Sequence, residues 1–308
     1  MMLKDKRRFW NGFWQLADPK IWVASTVPMF VGLSLVIGSG HTFNLFWFSL
    51  ALLSIYFIEI GKNAVNEWVD YRSGVDLFVS EENKTPFSGG KKTIIENKLT
   101  LNEVGLIAIF TLATAFSIGL AIVFLKEFNI LWIGLLGMAL AVFYSLPPFK
   151  FSYRGLGELV VGITFGPLMI SGVFVLMTGV FEWWIIPISL PIAFLISNVL
   201  WINQYPDYEA DLKAKKRNGL VRIGKKKGII VYALLFMSAY GSLVALTFIH
   251  KNPFWLLGLI TIPFAISAIQ IAAREYNNVK RLIAANELTV QTYLLTGILL
   301  LVSTLFGL

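Results

Sequence analysis

The chain has 308 residues, of which 56% are hydrophobic and only 14% charged, and it carries a formal net charge of +8. Because soluble domains are about one quarter charged, this composition excludes an ordinary soluble globular protein. The chain contains no cysteine, which excludes disulfide bonds and thiol chemistry. Its apolar stretches are long and continuous, which favours an all-α, polytopic membrane protein over a barrel of short alternating strands.

Nine apolar segments follow one another along the chain, and each approaches the roughly 20 residues that a helix needs to cross a bilayer. Short turns and longer polar segments join them in alternation. We therefore predict one domain over residues 1–308 with about nine transmembrane helices. The predicted spans are 21–39, 43–65, 104–125, 129–145, 157–178, 183–202, 229–249, 254–273 and 290–308.

The basic residues are distributed unevenly between the two sets of connections. Of the 26 Lys and Arg residues, all except Lys126 and Lys251 lie in the N-terminus or the longer polar segments, with Lys62 near the end of the second span counted with the segment that follows it. Since Lys and Arg concentrate on the cytoplasmic side of a membrane, we predict that the N-terminus and the long loops are cytoplasmic and the C-terminus is outside. The basic excess is then mostly topological, and we expect no nucleic-acid partner. The basic run 213–227 also suits lipid headgroups or a substrate phosphate.

Two polar motifs of the form Asn-x-x-x-Asp-Tyr occur at the ends of the second and sixth spans, and a further Asp follows each. Residues four apart share one face of a helix, and Gly74 can end the first helix and turn the next acid back towards its partners. Carboxylate and amide oxygens without His or Cys suit a hard cation such as Mg²⁺. The predicted metal ligands are Asn66, Asp70, Asp76, Asn203, Asp207 and Asp211.

Two such half-sites that face each other can hold a diphosphate through metal ions, because Mg²⁺ typically binds a few carboxylates together with substrate phosphates. Bound metal ions draw charge from a leaving diphosphate, and aromatic faces stabilise the carbocation left behind. The same features also occur as solvated loop ends and as interfacial aromatic anchors. The cationic candidates for diphosphate contact are Lys20, Arg72, Lys84, Lys91, Lys92, Lys150, Arg154, Lys216 and Arg217, and the aromatic candidates are Trp68, Tyr71, Tyr144, Tyr153, Tyr205 and Tyr208.

The paired motifs and their places in the chain resemble the UbiA superfamily of intramembrane prenyltransferases. The segments 17–28, 85–90, 144–158 and 207–224 resemble the family's opening segment and the loops after its second, fourth and sixth spans. The resemblance covers essentially the whole chain. Within the superfamily the chain is most similar to the MenA-type members, which prenylate 1,4-dihydroxy-2-naphthoate in menaquinone biosynthesis.

The resemblance implies helices around a central cavity, cytoplasmic cap segments and Mg²⁺ at the two motifs. It also implies transfer of a polyprenyl group from its diphosphate to an aromatic acceptor through an allylic carbocation, and loss of the acceptor's carboxyl group as CO₂. The residues expected to be catalytic are Asp70, Asp207, Tyr144 and Lys150. The residues expected to bind substrate are Lys20, Arg72, Lys84, Lys91, Arg154, Tyr205, Tyr208, Lys216 and Arg217.

The chain departs from the family pattern at three places. Glu67 stands where Asp is common, Gly74 stands where a third acid often lies with Asp76 beyond it, and Asp18 replaces the usual Arg before Pro19. Lys20 is the predicted substitute for that Arg. Other acceptors, such as 4-hydroxybenzoate, and a terpene cyclase of the same superfamily are the enzyme alternatives. A membrane transporter is the alternative outside enzymes, although acids at helix ends on one side argue against it.

Overall fold

The computed structural model describes residues 2–78, 85–87 and 90–306, without the side chains of residues 2–5 and Asp76. The predicted diphosphate contact Lys84, residues 88–89 of the segment 85–90, and the side chain of the predicted ligand Asp76 therefore lie outside the described part. All regular secondary structure in that part is helical. The helices are α1 Met2–Ala17, α2 Val23–Gly38, α3 Leu45–Ser73, α4 Leu101–Leu125, α5 Ile130–Phe143, α6 Gly157–Ile163, α7 Met169–Thr178, α8 Ile185–Lys213, α9 Gly219–Ile223, α10 Lys225–His250, α11 Ile262–Glu275 and α12 Val279–Phe306.

The predicted all-α membrane fold is confirmed. Among the described residues, eight helical stretches are long and apolar enough to cross a membrane. The predicted fourth span is the shorter helix α5, whose 14 residues extend only about 21 Å. The eight stretches are Lys6–Gly38, Leu45–Ser73, Leu101–Leu125, Gly157–Thr178, Ile185–Lys213, Lys225–His250, Pro253–Glu275 and Val279–Phe306.

The helices that carry the two motifs run further than hydropathy predicts. The second and sixth spans were expected to end at residues 65 and 202, but α3 continues to Ser73 and α8 to Lys213. Each has 29 residues, or about 43 Å at 1.5 Å per residue, which exceeds the roughly 30 Å of bilayer hydrocarbon. The last turns of both helices therefore project beyond the hydrocarbon and carry the polar motifs. Gly74 ends α3 in a left-handed conformation with φ 79°, as the sequence predicts.

A proline and a glycine shape the helix crossing beside the cavity. Between α6 and α7 the chain forms one π-helical turn, Thr164–Leu168, which contains Pro167. Gly166 lies against α8 so closely that a Cβ there would approach the Cβ of Ala193 to 2.6 Å. A π-turn is a common way to accommodate a kink in a helix. The turn packs against α8 through Gly166, and Thr164, Phe165 and Leu168 line the cavity described below.

The two ends of the helix bundle carry different connecting segments. At one end the short turns meet, since Asn129 Nδ2 donates to the carbonyl of Gly179 over 2.8 Å and Asn252 Nδ2 donates to the carbonyl of Phe306 over 3.0 Å. At the other end α1 packs on the long polar segment before α4, where Arg8 donates to the carbonyl of Lys98 over 2.8 Å and also pairs with Glu103, in the first turn of α4, at 2.6 Å. The long segments and α1 therefore form a cap at the end opposite to the C-terminus of α12.

Candidate active site

A cavity of about 670 Å³ leads from the cap into the helix bundle. Its wall at the cap end carries side chains from both polar motifs and from the loop after α8. Further in, its wall is apolar and is formed mainly by α3, α4, α5 and α7. Representative polar residues are Asn66, Asn203, Asp207, Asp211 and Lys216, and representative apolar residues are Ile55, Phe116, Leu120, Leu131 and Met138.

The first motif is held in place by hydrogen bonds from the loop after α5. Asn66 Nδ2 donates to Asp70 Oδ2 over 3.1 Å, so the two residues one turn apart on α3 act as a pair. Ser145 Oγ donates to Asn66 Oδ1 over 2.8 Å. Tyr153 donates its hydroxyl proton to Asp70 Oδ1 over 2.6 Å. Burial and then the charge of Asp70 raise the pKa of Tyr153 above its ordinary value, so Tyr153 remains a proton donor.

The second motif is fixed by two asparagines that come from other segments. Asn286 Nδ2, on α12, donates to Asn203 Oδ1 over 2.7 Å. Asn218 Nδ2, at the start of α9, donates to Asp211 Oδ2 over 2.7 Å. Asp207 and Asp211 are both buried on the cavity wall. One oxygen of Asn203 and one oxygen of Asp211 are therefore oriented by neighbouring residues of the protein.

Lys216 joins the two motifs. Its Nζ lies 3.1 Å from Asp70 Oδ2 and 3.8 Å from Asp211 Oδ1, and the side chains of both acids are less than 5% exposed. Burial opposes the charge on Lys216, but the two carboxylates outweigh burial and raise the pKa of Lys216 well above its ordinary value. The ammonium therefore stays charged. One cation thus lies between carboxylates of α3 and α8 and brings the motifs to the same place.

The described residues hold no cluster of three or more His, Cys, Asp or Glu side chains that could bind a metal ion unaided. The oxygens nevertheless fit Mg²⁺ as two incomplete half-sites. Asp211 Oδ1 is buried and accepts no hydrogen bond from any described residue, and its nearest cation is Lys216 at 3.8 Å. Since Mg²⁺ is usually bound by one or two carboxylates together with phosphate oxygens, a donor set completed by a phosphate-bearing ligand is chemically consistent with this site.

Three other predicted residues lie on the cavity wall, namely Lys20, Lys91 and Tyr144. Lys91 Nζ pairs with Asp18 Oδ2 at 2.6 Å. Asp18, which replaces the family's usual Arg, therefore holds Lys91 at the mouth of the cavity. Burial first, and then the charge of Glu158, raise the pKa of Tyr144 above its ordinary value, so its phenol stays protonated.

The remaining predicted residues in the described part do not line the cavity, and their contact with substrate stays a prediction. Lys150 lies over the ring of Tyr153, and Arg154 donates to the carbonyl of Pro148. Tyr205 is buried and donates to the carbonyl of Lys225 over 3.0 Å. Among the others, Arg72 stacks on Trp68, Tyr208 lies beneath Lys225, and the carbonyl of Arg217 accepts a hydrogen bond from Arg222.

Glu67, within the first motif, is a structural carboxylate that the sequence pattern did not indicate. Glu67 is 1% exposed and accepts hydrogen bonds from the backbone N–H groups of Lys92 and Ile94 and from the hydroxyl of Thr93. These bonds anchor the segment that carries Lys91 to the cavity mouth. The sequence did indicate that Glu67 faces away from the cavity, because a residue next to Asn66 points about 100° away from it on a helix.

Glu59 and Lys62 form a charged pair within α3 on the cavity wall, and neither was a predicted site residue. The available signal was the presence of two charges inside an apolar span, which is costly and typical of functional positions. Lys62 contributed only to the count of basic residues.

The model of the UbiA prenyltransferase family matches residues 25–286. The 1,4-dihydroxy-2-naphthoate octaprenyltransferase of Bacillus subtilis is 27% identical over 295 residues, covering 96% of this chain and 92% of the relative. The enzyme of the same name from Haemophilus influenzae is 30% identical over 241 residues, covering 77% and 76%. A solved UbiA homolog from Archaeoglobus fulgidus, bound to GPP and Mg²⁺, superposes with a TM-score of 0.61 at 18% identity, covering 94% of this chain and 99% of that chain.

The structural similarity establishes the fold, and the family match covers most of the chain, including both motifs. The resemblance seen in the sequence is thereby confirmed. The chain belongs to the UbiA prenyltransferase family and is a multi-pass membrane prenyltransferase.

Proposed function

We propose that this enzyme transfers a polyprenyl group from polyprenyl diphosphate to 1,4-dihydroxy-2-naphthoate, with the diphosphate bound at the cap end of the cavity. One observation carries the proposal: both Asn-x-x-x-Asp motifs meet around Lys216 at the polar end of a cavity whose remainder is apolar. A substrate with an anionic head and a long isoprenoid tail has this same polarity. The names of the B. subtilis and H. influenzae relatives support the naphthoate as the acceptor.

The residues proposed to hold Mg²⁺ are Asn66, Asp70, Asp76, Asn203, Asp207 and Asp211. When bound, Mg²⁺ supplies positive charge that lowers the basicity of the departing diphosphate. The solved homolog with GPP and Mg²⁺ supports this assignment. Because the described carboxylates come from α3 and α8, both helices are needed to complete the site.

The chain's own cations and hydroxyls bind and orient the diphosphate. Lys216 already lies between the two motifs, and Lys20 and Lys91 line the same end of the cavity. Tyr153 holds one oxygen of Asp70 and so orients the other towards Lys216. These groups are in place before the substrate arrives, which lowers the reorganisation required during the reaction.

In the proposed reaction the C–O bond of the prenyl diphosphate breaks and diphosphate leaves with the bonding electrons. The ring carbon that carries the carboxylate then forms a bond to the allylic cation. The bond between that carbon and the carboxylate breaks, CO₂ leaves, and the bonding electrons return to the ring and restore its aromaticity. The apolar wall excludes water from the cation. The ring of Tyr144, which lines the cavity, is positioned to stabilise positive charge through its face.

We further propose that the cap faces the cytoplasm and the C-terminus lies outside. The distribution of Lys and Arg supports this orientation, because only Lys126 and Lys251 lie in the short turns opposite the cap. Excess Lys and Arg mark the cytoplasmic side of membrane proteins.

The function is tested with purified protein, Mg²⁺ and geranylgeranyl diphosphate, with and without 1,4-dihydroxy-2-naphthoate. We expect diphosphate release that requires the naphthoate, together with a prenylated and decarboxylated product identified by mass spectrometry. Release without an acceptor would instead indicate a cyclase. Diphosphate release that requires 4-hydroxybenzoate would identify that acid as the acceptor instead of the naphthoate. Transport of a solute without diphosphate release would favour a transporter.

The metal assignment is tested with Asp70→Ala and Asp207→Ala. We expect either variant to lower kcat by at least about 100-fold, since loss of one electrostatic contact in a dry site costs about that much. Glu209→Ala is the matched control, because Glu209 lies on α8 two residues from Asp207 but its side chain is 55% exposed and pairs only with Lys225 among the described residues. Full activity in the Asp variants would refute the assignment.

A further inference from the structure

The charged pair of Glu59 and Lys62 lies deeper in the cavity than either motif. Lys62 Nζ contacts Glu59 Oε2 at 2.9 Å, and their side chains are 30% and 4% exposed, respectively. Ser25 Oγ, on α2, donates to the other carboxylate oxygen of Glu59. Both charged residues line the cavity. The proposed diphosphate site uses neither of them.

The geometry leaves the ammonium of Lys62 with unused donors. Lys62 forms an ion pair with Glu59 and no hydrogen bond to any other residue in the described part of the chain, and it lies 5.6 Å from the centre of the Phe165 ring. A lysine ammonium has three N–H donors. Glu59 is satisfied on both oxygens by Ser25 and Lys62. Lys62 can therefore accept a further anionic partner from the cavity, whereas Glu59 holds the ammonium in position.

The position of Lys62 is suited to the acceptor substrate. Lys62 precedes Asn66 by four residues on α3, which corresponds to about 6 Å along the helix, and both residues face the cavity. A molecule bound to Lys62 thus lies next to the diphosphate end, where the allylic carbon must be. The nearby wall is apolar and aromatic, with Phe165, Ala24 and Tyr293, which suits a flat ring.

We propose that Lys62 binds the carboxylate of an aromatic acid acceptor and that Glu59 is the positioning residue for Lys62. This inference rests on the proposed function for the identity of the acceptor class. It adds a consequence for turnover. Because the product has lost its carboxylate as CO₂, it lacks the group that Lys62 recognises. Lys62 thus distinguishes the acceptor from the prenylated product and favours product release.

Equilibrium binding of two stable probes tests this proposal without turnover. 1-Hydroxy-2-naphthoate carries the carboxylate and 1-naphthol lacks it, and the binding of each is followed by tryptophan fluorescence. We expect the wild type to prefer the acid. We expect Lys62→Met to weaken binding of the acid about ten- to hundredfold, as for loss of a charge-assisted hydrogen bond, and to leave binding of 1-naphthol unchanged. Lys62→Arg is expected to restore much of the preference.

Two further variants control for folding and for general charge. Glu59→Gln combined with Lys62→Met removes both charges, so no buried charge is left without a partner, and it is expected to show the same loss of preference as Lys62→Met. Lys126→Met removes a lysine from an exposed turn at the other end of the bundle and is expected to bind both probes as the wild type does.

Several outcomes would overturn the inference. They are equal affinity of the wild type for the two probes, an unchanged preference in Lys62→Met and the double variant, or a loss confined to the affinity for geranylgeranyl diphosphate. Failure of the proposed function is separate: it would appear as wild-type protein that binds the acid through Lys62 but forms no prenylated product.

Discussion

Lys216 provides the most direct test of whether the two motifs form one cation site. At an effective dielectric constant of about 20, its attraction to Asp70 at 3.1 Å is about 5 kcal/mol, and its attraction to Asp211 at 3.8 Å is about 4 kcal/mol. Much of this is offset by the cost of burying the charges. Removal of one partner from a buried pair still costs about 3–5 kcal/mol, because the remaining charge is left without compensation. Lys216→Met is therefore expected to destabilise the metal-free protein by that amount.

The measurement is the unfolding temperature in detergent, with EDTA and then with Mg²⁺. At about 2 °C per kcal/mol for a chain of this size, Lys216→Met is expected to unfold about 6–10 °C below the wild type in EDTA. Mg²⁺ is expected to stabilise the variant more than the wild type, because it supplies positive charge to the same carboxylates.

Lys225→Met is the matched control for this experiment. Lys225 also pairs with an acid at 3.1 Å, but that acid, Glu209, has a side chain that is 55% exposed, and exposed pairs contribute about 0–1 kcal/mol. We expect the control to differ little from the wild type in EDTA and in Mg²⁺. If Lys216→Met also unfolded at the wild-type temperature in EDTA, or responded to Mg²⁺ no more than the wild type, the reasoning about a shared cation site would be refuted.

Three further changes test the anchor of the cavity mouth, the tail channel and the orientation of the first motif. Glu67→Gln is expected to lose about 2–3 kcal/mol of stability through weaker charge-assisted bonds and to expose residues 90–98 to proteolysis; an unchanged proteolysis rate would contradict this. Gly134→Leu adds a side chain on the cavity wall where a Cβ meets no other atom within 4 Å. It is expected to cut kcat/KM about tenfold or more for long prenyl diphosphates but not for geranyl diphosphate, whereas Gly241→Leu, outside the cavity, should change neither. Tyr153→Phe removes the donor to Asp70 and is expected to lower kcat about tenfold with little change in the acceptor KM; an unchanged kcat would rule out that role.

Hydropathy marks the apolar part of each helix but not the residue at which the helix ends. The polar residues after positions 65 and 202 were assigned to loops, although α3 reaches Ser73 and α8 reaches Lys213. A helix leaves the hydrocarbon without needing to stop, since its backbone hydrogen bonds are internal to the helix. The four-residue spacing of Asn66 and Asp70 was the better guide, because it places both residues on one face only if the helix continues.

The sequence identified Lys216 as a candidate diphosphate contact, but it did not predict that Lys216 lies between the two motifs. Lys216 belongs to a run of basic residues, and composition does not distinguish it from its neighbours. Its placement depends on the turn that ends α8, where Lys215 adopts φ 58° and the backbone N–H of Lys216 donates to the carbonyl of Asp211. This left-handed turn, which costs about 1–2 kcal/mol at a non-glycine residue, brings the Lys216 side chain back towards Asp211 and Asp70.

Glu67 and Glu59 show that membership of the sequence motif did not predict which acid lines the cavity. Glu67 was compared with the family's motif acids, yet its place next to Asn66 turns it away from the cavity, and the structure shows it bound to residues 92–94. Glu59 lies outside the motif but precedes Asn66 by seven residues, two helical turns, and therefore shares its face. Helical phase, rather than proximity in the sequence, separates the structural acid from the cavity acid.

The proposed acceptor contact and the proposed diphosphate site lie on the same face of α3. Lys62, Asn66 and Asp70 follow at intervals of four residues on one face of α3, so a single helix carries both sites. The rise of an α-helix is fixed at 1.5 Å per residue. The separation between the proposed acceptor contact and the proposed diphosphate site is then set by α3, and Lys91 and Lys216 are already held at the diphosphate end by Asp18 and by Asp70. A fixed spacing along one helix fits a reaction whose two substrates must meet in a fixed geometry.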